Sequence, residues 1–338
     1  MLESIQAKCD AFIQNRAAAK QVFRLSSPMM HCLCALQITA QGLVLPVERL
    51  QDGKKWYKSA FSAFSVMRST AMPNMVTLTS LQGFPPPADG SEQKLAVQDF
   101  LSDLNRAFFE LKTAGFRPTD YHPITAWLLA TGAPRADWEA LCAKARRLYL
   151  GMRERHPFFT SAEDACLAMS LAMETDANEE ETLVRCENAF GLLRDRFRAS
   201  NATQTMAHIL ALDPKNLEAR CSATAELFDR LRELRCRFRR GMEVTALAGL
   251  TYFYTDMGKA AEDLAITYHR LRAHRGFSMM SIGRNQCAFY AAALLAMEKA
   301  QELPETEQAR ILRLIGLTAS VTVTLVAIQA AAAAAAGT

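Results

Sequence analysis

A chain of 338 residues, half of them apolar and 22% charged, carries enough apolar material for a large folded core, which excludes a disordered protein. Lysine and arginine outnumber aspartate and glutamate only 39 to 35, a net charge of +4, so the basic excess of a dedicated nucleic-acid binder is missing. Nine cysteines are scattered at 9, 32, 34, 142, 166, 186, 221, 236 and 287 without Cys-x-x-Cys pairing, which argues against a zinc site.

The chain opens on an amphipathic helix predicted over about 2–23, with no basic segment and apolar run of a secretory leader. The expected compartment is therefore the cytoplasm, with the cysteines reduced and serving as small buried hydrophobes. A second helix over about 28–40 contains His31-Cys32-Leu33-Cys34, a soft-metal candidate. On a helix His31 and Cys34 share a face while Cys32 points away, so no metal is assigned.

From Phe64 onward a pattern of aromatic-x-x-Leu/Met-Lys/Arg recurs, at Phe64–Arg68, Phe108–Lys112, Tyr149–Arg153, Phe190–Arg194, Phe228–Arg232 and Tyr268–Arg272. The copies step by 44, 41, 41, 38 and 40 residues. A unit of about 40 residues holds two helices and two short turns. In each unit the first helix carries the pattern, as in Leu183–Phe197 or Cys221–Leu234. The second closes on a small apolar cluster: Trp127–Ala130, Met169–Ala172, Ile209–Ala211, Leu247–Leu250 and Leu294–Ala296. An ordinary amphipathic helix would also place Phe and Leu three apart, but not six times with the same sequel. Hairpin-turn signals between alternating runs are missing. The fold class expected is all-α, a helical-hairpin repeat array, α-solenoid or α/α-toroid-like, of about six to seven units.

Phe84-Pro85-Pro86-Pro87-Ala88-Asp89-Gly90-Ser91 is the best boundary, because three prolines cannot donate backbone hydrogen bonds. It divides the sequence into a cap over 1–84, a linker over 85–93, a repeat region over 94–300 and a closing helix over 301–338. The last of these holds 23 residues without charge, Leu314–Ala336, ending in seven alanines. That length could span a bilayer, but Thr318, Ser320, Thr322, Thr324 and Gln329 interrupt it. A helix closing the array is the favoured reading over a membrane anchor.

Two constellations bear on chemistry. Basic residues gather where the first helices end, and Arg194, Arg198, Arg235, Arg239 and Arg272 would form a rim attractive to anions if the units stack in register. Cations at helix C-termini also complement the macrodipole without any ligand. The second set lies where the second helices begin: His122, Glu163, Asp164, Gln204, Glu243, Arg284 and Asn285. In a ring of hairpins these would converge on one polar pocket with acid and base groups. Capping accounts for Thr160, Ser161 and Asn201 and for acids in a first turn, leaving His122, Arg284 and Asn285 least explained. The loops 156–164 and 276–286 are the most elaborate, and loops on a rigid scaffold tend to bind. Phosphate loops, nucleophile elbows and dinucleotide fingerprints are missing from the sequence.

Asn15-Arg16, the His156-Pro157-Phe158-Phe159-Thr160-Ser161-Ala162-Glu163-Asp164 loop, Ile282-Gly283-Arg284-Asn285-Gln286 leading into Tyr290-Ala291-Ala292, and the Ala-rich tail together resemble a bacterial family, domain of unknown function 4003, over almost the whole chain. The Pro85–Ser91 stretch departs from it as an addition between units. The resemblance implies an all-helical, bacterial, cytoplasmic protein and adds no catalytic residue. The function expected is a non-enzymatic interaction scaffold or ligand-binding module, with a protein or small molecule as partner and no cofactor. An enzyme using the acid–base pocket is the alternative, and an anion or nucleic-acid binder using the arginine rim is the second alternative.

Overall fold

Long stretches with one apolar face alternate along this chain with shorter stretches that are apolar all round, and each becomes a helix. The computed structural model describes residues 2–85, 91–213, 216–236, 238–277 and 282–336. Among them are fifteen α-helices and no strand: α1 (Leu2–Val22), α2 (Pro28–Ala40), α3 (Val47–Ala60), α4 (Met72–Leu81), α5 (Ser91–Thr113), α6 (His122–Gly132), α7 (Trp138–Arg155), α8 (Asp164–Glu174), α9 (Glu179–Phe197), α10 (Asn201–Leu210), α11 (Leu217–Glu233), α12 (Thr245–Leu250), α13 (Met257–Ala273), α14 (Arg284–Ala300) and α15 (Glu305–Ala336). Even-numbered helices from α2 to α14 are buried along most of their length, as in Pro73–Ser80 of α4 and Ala202–Leu210 of α10. Odd-numbered ones such as α9 and α11 bury one stripe and leave the rest to solvent.

Five copies of the aromatic-basic pattern fall in the last turns of α5, α7, α9, α11 and α13, as expected. The first does not: Phe64 is fully exposed and Val66–Arg68 is a 3-10 turn between α3 and α4. The first helix of that hairpin is α3, which approaches α4 at Gly53. A Cβ there would lie 1.9 Å from Ser80 Oγ and 3.2 Å from the Val76 carbonyl.

The chain divides into two compact units, and the boundaries fall inside α1, α7 and α15. The first unit comprises Asp10–Ala143 with Ala319–Thr338. In it α3 packs on α4, α2 on α4, α5 on α6 and α4 on α5. The Pro-rich stretch belongs to this unit, with Pro86–Gly90 outside the described residues. Several of its buried polar groups are tied across long sequence separations. Asn15 Nδ2 donates to Thr39 Oγ1 (3.1 Å) and the Leu43 carbonyl (2.9 Å), and its Oδ1 accepts from the Leu45 amide. Ser320 Oγ of α15 accepts from Gln37 Nε2 (3.2 Å) and Asn74 Nδ2 (2.9 Å). Ser320, Thr322 and Thr324 are buried, as is Thr318 in the second unit, so these four of the polar residues that interrupt the tail are core residues, and the side chain of Gln329 lies outside the described ones. The side chains of 325–336, with the alanine run, lie outside the described ones. No helix of the described residues is long and apolar enough to cross a membrane.

Arg49 of α3 shows how the first unit closes a helix end. Its guanidinium donates to the Ser80 and Gln82 carbonyls, both at 2.7 Å, at the C-terminus of α4, and lies 4.6 Å from the Trp56 ring. Arg49→Met keeps the stem but leaves those carbonyls unpaired, and is expected to destabilise the protein by about 2–4 kcal/mol in denaturant melts. A loss below about 0.5 kcal/mol would show that water satisfies that end.

The second unit comprises Met1–Cys9 with Lys144–Thr318. Here α9 packs on α10 and α13 on α14. Odd helices contact odd ones (α9 with α11, α11 with α13) and even contact even (α8 with α10, α10 with α12, α12 with α14). The beginning of α1 joins this unit through Lys8, whose ammonium lies 3.3 Å from Glu298 of α14. The start of α15 joins it through Arg310, 3.1 Å from Glu174 of α8.

Candidate functional site

Of the residues singled out at the starts of the second helices, those of the second unit fall into separate groups, and His122 is described by itself. His122 belongs to the first unit, at the start of α6. Its ring packs against Phe108 with centroids 4.7 Å apart and planes inclined at 60°, and its two nitrogens face the Phe108 carbonyl (3.2 Å) and the Arg117 carbonyl (3.4 Å). Burial lowers its pKa, so the neutral ring donates to one carbonyl and fastens α6 to α5. In α2, His31 likewise donates from Nε2 to the Phe23 carbonyl at 2.8 Å, and burial pushes the Cys34 thiol up to about 12. Among the described residues no group of three or more His, Cys, Asp or Glu side chains is arranged to hold a metal ion.

Glu163, Asp164 and Gln204 do come together, in the second unit, where the loop 156–164 enters α8 beside α10. Glu163 accepts from Ser161 Oγ and Asn201 Nδ2, and Asp164 Oδ2 accepts the Ser161 amide at 2.9 Å. Gln204 Nε2 donates to Thr160 Oγ1 at 2.9 Å. The sequence reading missed His208, which follows Gln204 by one helical turn and brings Nδ1 within 3.6 Å of Asp164 Oδ1. Its spacing from Gln204 on α10 was the available signal. Asp164 is completely buried, and that burial, with Glu163 beside it, raises its pKa well above the ordinary carboxyl value. Burial, with a smaller contribution from His156, lowers His208 to about 3. At 3.6 Å with both groups held neutral, this contact is not an ion pair. Asp164 Oδ1, Gln204 Oε1 and His208 Nδ1 have no hydrogen-bond partner. Of the other long loop, 276–286, Ser278–Ser281 lie outside the described residues. Glu243 stands apart, in the 3-10 turn Met242–Val244, with its carboxylate folded against Gly241.

Arg284 and Asn285 join residues of the arginine rim instead. A cleft of about 1010 Å³ opens in the second unit where α11 and α13 end and α14 begins. Its cationic wall is Arg235, Arg239, Arg272 and Arg284, with Tyr268, His269 and Phe238 between them. Gly283, Asn285 and Gln286 bring the N-terminal turn of α14 to the same space, where Gly283 provides no side-chain cap and the helix dipole favours negative charge. Among the described residues no carboxylate lines the cleft. Five other arginines of this unit are matched with carboxylates of neighbouring helices or turns: Arg147 with Glu179, Arg155 with Glu180, Arg196 with Asp229, Arg220 with Asp213 and Arg310 with Glu174. The four in the cleft form no ion pair among the described residues, and Arg272 Nη1 is buried without a partner while its guanidinium stays 6.0 Å from the Tyr268 ring.

Beside this cleft lies a second hollow of about 600 Å³, lined by Arg198, Arg232, Arg239 and Arg240 over Phe197, Phe228 and Phe238. Phe238 and Arg239 belong to both. Arg194 lines neither; its side chain is mostly exposed, 4.0 Å from Asp195, and Arg237 is outside the described residues. A cluster of guanidinium groups without carboxylate partners, beside a helix N-terminus, is suited to phosphate or carboxylate, which accept several charge-assisted hydrogen bonds at once.

Residues 15–331 match the model of a family described as Protein of unknown function (DUF4003). No curated protein and no solved structure matches the chain.

Proposed function

The chain belongs to the DUF4003 family, and from the geometry of its second unit we propose that it is a non-enzymatic binding protein for a small anionic ligand held in the arginine cleft. The observation that carries this is the group Arg235, Arg239, Arg272 and Arg284, gathered around about 1010 Å³ with no carboxylate among the described residues of the lining. Holding four like charges together without counter-charges is unfavourable unless an anion enters. The volume suits a small molecule. An acid–base enzyme is less well supported, because Glu163 and Asp164 are closed into the α8–α10 contact and Glu243 into its own turn. A nucleic-acid partner is less well supported because the net charge is only +4. The helical hairpins are read as a repeat array, supported by the odd-to-odd and even-to-even contacts of the second unit. In that array the ends of outer helices and the starts of inner ones come to one edge, which is how distant arginines reach one cleft.

Calorimetric titration with inorganic pyrophosphate at low salt tests the reading. Binding with a falling affinity as salt rises is expected, and Arg272→Gln with Arg284→Gln should weaken it about 100-fold, since each charge-assisted contact contributes roughly 1.5–3 kcal/mol. The melting temperature should hold, because neither guanidinium pairs with protein carboxylate. Pyrophosphate binding that ignores the double substitution, or no binding at millimolar concentration, overturns it.

A further inference from the structure

Resting on that reading, we infer that the ligand is a small molecule with two separated anionic groups, one in the larger cleft and one in the adjoining hollow. Both spaces share Phe238 and Arg239, so a ligand in one meets the wall of the other. The hollow has its own unpaired cations, Arg198, Arg232 and Arg240, while the nearby Arg196 is neutralised by Asp229. Arg240 is also held in place, with Nε donating to the Arg196 carbonyl at 3.2 Å and its guanidinium 5.9 Å from the Phe228 ring.

Backbone geometry marks the same two spaces. Arg198 (φ 66°) and Arg235 (φ 57°) are the only non-glycine residues at positive φ among those described, and each hollow contains one of them. Arg235 closes α11 as a left-handed cap, with the Cys236 amide bonded to the Leu231 carbonyl at 2.9 Å. The matching cap after α5 is Gly115, where the Phe116 amide reaches the Leu111 carbonyl at 3.1 Å. At the α11 end this chain therefore places arginine where the matching turn after α5 uses glycine, and at the α9 end Arg198 holds a different positive-φ conformation (ψ 158°), equally costly for a residue with a side chain.

The probes are hexane-1,6-diol monophosphate and its 1,6-bisphosphate, titrated into the full chain. The bisphosphate should bind one to one and at least tenfold tighter than the monophosphate. Arg284→Gln should weaken both. Arg198→Gly and Arg232→Gln should weaken the bisphosphate tenfold or more and leave the monophosphate unchanged. Arg198→Gly relieves the backbone, so its melting temperature should rise by about 2–4 °C, which separates lost binding from lost folding. Equal affinity for the two probes, a bisphosphate indifferent to Arg198→Gly and Arg232→Gln, or a preference for single-stranded oligonucleotide that grows with its length, would overturn the two-ended ligand. A monophosphate indifferent to Arg284→Gln would overturn the cleft itself.

Discussion

A chain that stops after Arg310 is expected to lose the cooperative melt of the intact protein. The deleted part of α15 buries Leu317, Val321 and Val323 to 1% exposure or less. Each such side chain contributes about 1.5–3 kcal/mol of burial, so these three account for about 5–9 kcal/mol, against a typical net stability of 5–15 kcal/mol. Removing Ser320 also takes the buried acceptor from Asn74 Nδ2, and a buried group left without a partner costs about 1–3 kcal/mol more. Circular dichroism on heating provides the measurement, and a broad, shallow transition is the expected trace. A truncated chain that melts like the intact one, and that moves from the membrane fraction to the soluble one in cells, would return the tail to the role of an anchor.

Asp164→Asn is expected to stabilise the protein at pH 8 and to flatten its pH dependence. The carboxyl's folded pKa is raised above its unfolded value of 3.8, so its contribution to stability falls as pH rises from that value until the folded pKa is passed. His208 has the opposite slope: its folded value of about 3 lies below the unfolded 6.5, so stability rises with pH between them. From about pH 4 to 6.5 the two slopes oppose each other. Above pH 6.5 only that of Asp164 remains, and the intact protein should lose stability there for as long as the folded carboxyl keeps its proton. Asparagine keeps an acceptor for the Ser161 amide and turns an N–H toward His208 Nδ1, with no charge to bury. A gain of about 1–3 kcal/mol at pH 8 is expected. Melting temperatures from pH 5 to pH 9 decide the matter, and parallel curves for the two proteins would mean that Asp164 is not the titrating group.

Local pattern was enough for most of the helices and for little of the site. The aromatic-basic motif located the ends of α5, α7, α9, α11 and α13 because a helix with one buried stripe repeats its apolar residues at a fixed spacing. The same motif misled at Phe64–Arg68, where five residues cannot reveal whether the preceding segment has already left the helix at Phe61. The arginines of the cleft were visible as types at helix ends. Their grouping depends on α11, α13 and α14 meeting in space, and a linear pattern holds no distance between residues 50 apart. His208 was passed over for a different reason. It sits among apolar neighbours on a helix, where a buried ring without function looks the same in sequence, and only the Asp164 carboxyl at 3.6 Å sets it apart.

That α1, α7 and α15 each pass from one unit to the other has a consequence for how the protein is made. The first unit needs residues beyond 318 to complete it, and the second needs both its first nine residues and everything from 144 to 318. Neither can close while the ribosome is still working through the middle of the message, so the two cores mature together and late. A nascent chain of some 300 residues would carry the apolar faces of α2, α4 and α14 without their last partner, for a time set by an elongation rate of about 5–20 residues per second.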